Sequence, residues 1–131
     1  MGFSVQEARN RATLDAFQGA WAAKDLDGLS RWIADDVVYS ASVGPEPGET
    51  WRGRAAVMAG FKLLLEHDRG ISKSDGIYLS GQFAFASWSY WKEPGNELLT
   101  RGCDLFEFRK ALILRKDAYR KLRAPSLEAG S

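Results

Sequence analysis

The chain has 131 residues, of which 18 are Lys or Arg and 17 are Asp or Glu, for a formal net charge of +1. So small a charge supplies no field to hold a polyanion, which argues against a nucleic-acid partner. The one cysteine, Cys103, excludes a disulfide scaffold, and the length suits a single domain that buries about two thirds of its unfolded surface.

A reducing compartment fits that lone thiol, and no Cys and His pair at metal spacing, so no metal is expected. The longest apolar run falls short of a membrane span, and Met1 to Glu7 lacks the basic and apolar regions of a signal peptide. The expectation is a cytoplasmic protein with no membrane partner. Five Trp, four Tyr and seven Phe exceed what one small core demands, and point to a lined cavity, an interface or both.

Ser4-Val5-Gln6-Glu7 has the pattern of a capping box at the start of a long helix. Leu14, Phe17 and Trp21 then recur at three- and four-residue steps, an apolar stripe that runs to about Lys24. Asp25 breaks and recaps the chain, and Leu26, Leu29, Trp32 and Ile33 mark a second, shorter helix that stops at Ala34-Asp35-Asp36. Val37 to Val43 alternates and is β-branched, which predicts a first strand with Val37, Tyr39, Ala41 and Val43 facing inward. Gly44 to Thr50, with two prolines and two glycines, reads as a loop at a strand end, where pockets open. Trp51-Arg52-Gly53-Arg54 leads into a third helix with Val57, Met58, Phe61, Leu64 and Leu65 on its core face, ending near Gly70.

Four strands follow: 71–79, 82–91, 98–108 and 112–121. In the second of them Phe83 and Phe85 lie on one parity and Trp88 and Tyr90 on the other, so either both faces are covered or a bulge shifts the register. Helices gathered ahead of a meander pack on one face of an antiparallel sheet, which makes the fold class α+β. The domain spans 1–123, and 124–131 reads as a disordered tail.

The last two strands carry the chemistry. Asp104, Phe106 and Phe108 share one face of their strand, an acid among aromatics. A three-residue turn at Arg109, Lys110 and Ala111 would oppose Phe108 to Leu112, Phe106 to Leu114 and Asp104 to Lys116. A two-residue turn at Lys110 and Ala111 would instead set Asp104 against Asp117, a less favourable like-charge pair. Arg109, Lys110, Arg115, Lys116, Arg120, Lys121 and Arg123 crowd this hairpin against Glu107 and Asp117 only. A charged strand edge that resists stray pairing is the commoner reason for such a run, and an anion site is the alternative.

On Ala23-Lys24-Asp25-Leu26-Asp27-Gly28-Leu29, Ala34-Asp35-Asp36-Val37, Trp51-Arg52-Gly53-Arg54, Gly102 to Arg109 and Lys116 to Arg120, the chain resembles the nuclear transport factor 2-like superfamily. Within it, the resemblance is to the SnoaL-like and ketosteroid-isomerase-like group. It covers about Ala8 to Arg120 and implies a cystatin-like cone: three helices against a curved, mainly antiparallel sheet that encloses an apolar pocket. It also implies a homodimer through the outer sheet face. Members of the group include isomerases, dehydratases, cyclases and proteins that only bind, so the fold does not specify a reaction. In ketosteroid isomerases a protonated Asp and a Tyr polarise the substrate oxygen while a second Asp moves the proton. Asp104 matches the first of these, but Phe17 stands where the Tyr would be and Ala41 where the base would be.

The expected function is binding of a small, largely apolar, oxygen-bearing molecule, with cofactor-free acid-base catalysis of isomerase, dehydratase or cyclase type as its enzymatic form. A non-catalytic ligand-binding or dimerisation module is the alternative. Asp104 and Lys116 are the catalytic candidates, weighed against a purely structural ion pair, which is the commoner role. Tyr39, Trp21, Phe17, Trp51, Phe61, Phe85 and Phe106 are the ligand-binding candidates, most of them core residues by default. Lys116 as a Schiff-base nucleophile is a weaker option, since it would have to be neutral beside an acid. Asp117 and Tyr119 fall on the opposite parity to Lys116, hence outward. His67, on the charged segment Glu66-His67-Asp68-Arg69, is better placed for the helix dipole than for catalysis.

Overall fold

The structure, a computed structural model, describes residues 2, 4–122 and 124–127. Three helices, α1 (Val5–Ala22), α2 (Leu26–Ser30) and α3 (Arg54–His67), accompany six strands. The strands are β1 (Ile33–Ser40), β2 (Thr50–Arg52), β3 (Gly70–Ser80), β4 (Phe83–Lys92), β5 (Glu97–Arg109) and β6 (Leu112–Arg120). They form one curved, open sheet in the order β2-β1-β6-β5-β4-β3, antiparallel except for the parallel pair β1–β6. The class is α+β. Among the described residues no helix is long and apolar enough to cross a membrane.

The capping box predicted for α1 is present: Glu7 N–H donates to Ser4 Oγ and Ser4 N–H to Glu7 Oε1, each at 3.0 Å. The other Glu7 oxygen accepts Gly81 N–H at 2.8 Å, and Asn10 Nδ2 donates to Gly81 O at 3.3 Å. One turn further on, Thr13 Oγ1 donates to Ala111 O at 2.6 Å. The helix is thereby tied to the β3–β4 and β5–β6 turns. Its buried stripe, Leu14 and Phe17, meets Leu29, Val37, Val57, Phe61, Phe106 and Ile113 in a single core.

Asp25 caps α2 by accepting Gly28 N–H at 3.0 Å. Two acids and two arginines then tie β1 to α3 and to β5. Arg54 donates from Nη2 to Ile33 O at 2.6 Å and from Nε to Asp35 at 3.1 Å, while Arg109 makes a two-pronged contact with Asp36 at 3.0 and 2.5 Å. Residues 34–36 therefore belong to β1, not to a helix end. Ile113 N–H donates to Trp32 O, so pairing with β6 starts there. At the far end the strand stops at Ser40, and Val43, beyond it, is 41% exposed at the rim of the cavity inside the sheet. Trp51, expected at the entry to α3, sits in β2, and α3 gives way to β3 at Gly70, where a Cβ would meet the Tyr90 ring at 2.4 Å.

The β5–β6 register differs from both alternatives. Lys110 and Ala111 form a two-residue turn with φ of 52° and 61°, and Arg109 pairs with Leu112. Such a turn alone would oppose Asp104 to Asp117. Leu114 is an extra residue, however: Phe108 pairs with Ile113 but Glu107 with Arg115, so Phe106 opposes Lys116 and Asp104 opposes Ala118. Lys116 is restored to the inner face, diagonal to Asp104. Of the expected tail, 124–127 lies outside helices and strands, while 128–131 and Arg123 fall outside the described residues.

Further bulges lie at Asp75 in β3 and Leu99 in β5, and β4 itself carries no extra residue. Ala84, Ala86, Trp88 and Tyr90 share the inner parity, and Phe83 and Phe85 turn outward, where Phe85 is 47% exposed.

Left-handed backbone at Lys110 and Ala111 strains two L-residues where Asn-Gly is favoured. Lys110→Asn combined with Ala111→Gly should raise the unfolding free energy by about 1 kcal/mol. Urea denaturation measures this, and an unchanged or lowered midpoint would contradict it.

Candidate functional site

Inside the curve of the sheet lies a cavity of about 390 Å³, bounded by the C-terminal half of α1, the end of α3 and the inner faces of β1 and β3–β6. Its floor holds a buried ion pair. Lys116 Nζ donates to Asp104 Oδ2 at 3.0 Å, the two residues being 5% and 8% exposed. Trp88 Nε1 donates to the other oxygen, Oδ1, at 3.1 Å. Asp104 thus accepts at both oxygens, as an ionised carboxylate does. The ammonium also lies 4.8 Å from the Trp21 ring, 4.9 Å from Tyr39 and 5.7 Å from Phe106. Three π faces and one carboxylate surround it, which lowers the cost of removing a cation from water.

Tyr39 stacks on Trp51 at 5.4 Å and leans on Phe61 at 5.0 Å. Burial, reinforced by the nearby Asp104 charge, pushes its phenol far above the usual range, with Arg120 offsetting part of the effect. It is therefore a neutral O–H. That hydroxyl has no hydrogen-bond partner among the described residues.

The mouth is polar. Asp68, just past α3, accepts Tyr90 O–H at 2.6 Å and Gly70 N–H at 3.0 Å. Burial and this contact raise the Tyr90 phenol above its ordinary range. Arg120, at the end of β6, carries its guanidinium 5.7 Å from both the Trp88 and Tyr90 rings, with Nε donating to Ser42 Oγ at 3.4 Å. His67 also lines the mouth, with Nδ1 2.8 Å from Leu63 O of its own helix.

Six of the nine catalytic and ligand-binding candidates line this cavity: Phe17, Trp21, Tyr39, Asp104, Phe106 and Lys116. Trp51 and Phe61 stand behind the wall, supporting Tyr39. Phe85 is on the outer face, a correction that follows from the parity of β4, whose alanines and not its phenylalanines turn to the core. Asp117 and Tyr119 also lie outward, bonded to each other at 3.1 Å. Ala41 is buried outside the lining. Sequence reading did not bring Trp88, Tyr90, Asp68 or Arg120 to the site. The shared parity of Ala84, Ala86, Trp88 and Tyr90 was the available signal for two of them.

The sequence profile of the SnoaL-like domain matches residues 14–116. No curated protein matches the chain. Among solved structures, a nuclear transport factor 2-like protein of unknown function from Mesorhizobium loti superposes with a TM-score of 0.79 at 21% identity, covering 92% of this chain and 98% of its own. A candidate SnoaL-like polyketide cyclase from Jannaschia sp. CCS1 gives 0.76 at 14% identity, covering 92% and 91%. A candidate ketosteroid isomerase from Kribbella flavida gives 0.72 at 18% identity, covering 96% and 90%. Likeness at these identities speaks for the fold alone. The profile match spans most of the chain, from the first helix through the ion pair, and the chain belongs to the SnoaL-like domain family.

Proposed function

We propose that the cavity binds a small, largely apolar molecule through one of its oxygens, received by Lys116 Nζ and the Tyr39 hydroxyl. The observation that carries this reading is the Asp104–Lys116 pair, buried at the floor of an aromatic cavity of about 390 Å³. An ammonium has three N–H donors, and Asp104 takes one. Tyr39 adds a donor with no competing partner. Asp104 acts as the anchor that holds the ammonium in place, because both of its oxygens are already engaged. In the ketosteroid isomerases the corresponding Asp is protonated and donates; here the donors are its neighbours.

A second reading, cofactor-free proton transfer on the bound molecule, is favoured by one feature. Asp104 is a carboxylate beside two groups able to stabilise an enolate oxygen, so a proton taken from the carbon next to a bound carbonyl would have both an acceptor and a compensating field. Isomerisation, dehydration and cyclisation share that step. The candidate isomerase and cyclase among the structural neighbours are consistent with this chemistry. Asp104→Asn separates the two readings. Under catalysis, turnover of activated ketones or enol esters disappears in Asp104→Asn and persists in His67→Ala. Under binding alone, no turnover is found in any form. In both, Lys116→Met combined with Tyr39→Phe should weaken binding of a ketone ligand by about tenfold or more, about 1.4 kcal/mol or upward. Unchanged affinity in that double variant would remove the basis of the proposal.

The outer sheet face supports a homodimer. Tyr78 is 65% exposed, Phe85 47% and Phe83 39%, and the first two lie opposite each other in the β3–β4 ladder. Contiguous aromatics directed into solvent are costly unless covered. Sedimentation should give a dimer for the native chain and a monomer for Phe85→Glu. A native monomer would contradict this arrangement.

A further inference from the structure

Within the basic hairpin, Arg120 is the cation held at the mouth of the cavity with no acid beside it among the described residues. Arg109 is engaged by Asp36, Arg115 lies 3.4 Å from Glu107, and Lys116 holds Asp104. Arg120 has no carboxylate partner among the described residues. Its one side-chain hydrogen bond there, to Ser42, uses Nε and leaves the terminal nitrogens free. The guanidinium is nevertheless placed, lying over Trp88 and Tyr90 at the mouth of the same cavity. Asp68, the carboxylate at that mouth, is committed to Tyr90 and Gly70. A planar fork held on aromatic faces with its terminal donors open is suited to an anionic oxygen pair.

Lys116 and Arg120 stand four residues apart on one strand and one face, with regular pairing from Phe106–Lys116 to Gly102–Arg120. At about 3.3 Å per residue their backbones are about 13 Å apart. Between them on that face is Ala118, which also lines the cavity, and opposite Arg120 is Gly102, with no side chain at all. The cavity, lined there by Ala118 and the Trp88 ring, therefore forms a channel from the buried ammonium to the rim guanidinium.

We infer that the occupant is an amphiphilic acid. Its uncharged oxygen, a ketone or hydroxyl, reaches Lys116 and Tyr39 at the floor. An apolar span fills the channel, and a carboxylate is received by Arg120 at the mouth. This rests on the cavity being the binding site, as proposed above, and adds the class of molecule.

The test compares 9-oxodecanoic acid, its methyl ester and decan-2-one by calorimetric titration of the native chain, Arg120→Gln and Lys121→Gln. The native chain should bind the acid about 5- to 20-fold more tightly than the ester, in the range of a charge-assisted contact. That preference should vanish in Arg120→Gln and persist in Lys121→Gln, which removes an adjacent charge. Circular dichroism verifies that both variants are folded. Ester and ketone binding with no preference for the acid, or a preference that survives Arg120→Gln, overturns the inference and leaves the cavity as a neutral-ligand site. Failure of all three probes to bind the native chain overturns both readings together.

Discussion

Two opposite charges have been taken out of water at the centre of this molecule, and the sheet and helices are arranged around keeping them together. Such a pair carries a desolvation penalty that mutual attraction alone does not reliably offset. Asp104 and Lys116 meet at 3.0 Å, the second carboxylate oxygen takes the Trp88 indole N–H, and the ammonium faces three rings. Those contacts come from five elements: α1 supplies Trp21, β1 Tyr39, β4 Trp88, β5 Asp104 and Phe106, and β6 Lys116. The pair therefore requires every layer of the fold to be in place. It also leaves unused donor capacity facing the cavity, and this gives a structural ion pair chemical potential.

What brings the pair together is an irregularity. A regular hairpin from the two-residue turn would have presented Asp117 to Asp104 and turned Lys116 outward. The extra residue at Leu114 shifts the remainder of β6 by one position and exchanges the faces. Hydrophobic periodicity could not reveal this, because Leu112, Ile113 and Leu114 are all apolar and any of them suits either face. By contrast the helices were legible. The Ser4–Glu7 box, the Leu14–Phe17 stripe and the Asp25 cap are local signals that tertiary packing did not overrule. The boundary at 33–36 was not, since the acids there suggest a helix end by type but serve as strand residues bound to Arg54 and Arg109.

The site divides along the same line. Residues on the α1 stripe and on strands with a clear inner face could be assigned from alternation: Phe17, Trp21, Tyr39, Asp104 and Phe106. The β4 contribution could not. Its inner face begins with two alanines and its outer face with two phenylalanines, so size points the wrong way and Phe85 looks like a wall of the pocket. Ala84 and Ala86 are buried in the core cluster, whereas Trp88 and Tyr90 line the cavity. Arg120 was hidden for a different reason. Among seven basic residues, charge alone does not distinguish the cation that, among the described residues, has aromatic support and no acid beside it.

Gly102 sits in the row Trp88–Gly102–Arg120 that crosses three strands. A Cβ built there would come within 2.3 Å of the Trp88 ring and 2.2 Å of the Tyr119 carbonyl oxygen. The indole occupies the space that hydrogen leaves, with its nitrogen reaching one pair of residues down the sheet to the carboxylate. The absent side chain thus makes room for the Trp88 ring against the sheet. Any side chain larger than hydrogen at this position would have to displace the Trp88 indole, and with it the N–H that holds the second oxygen of Asp104.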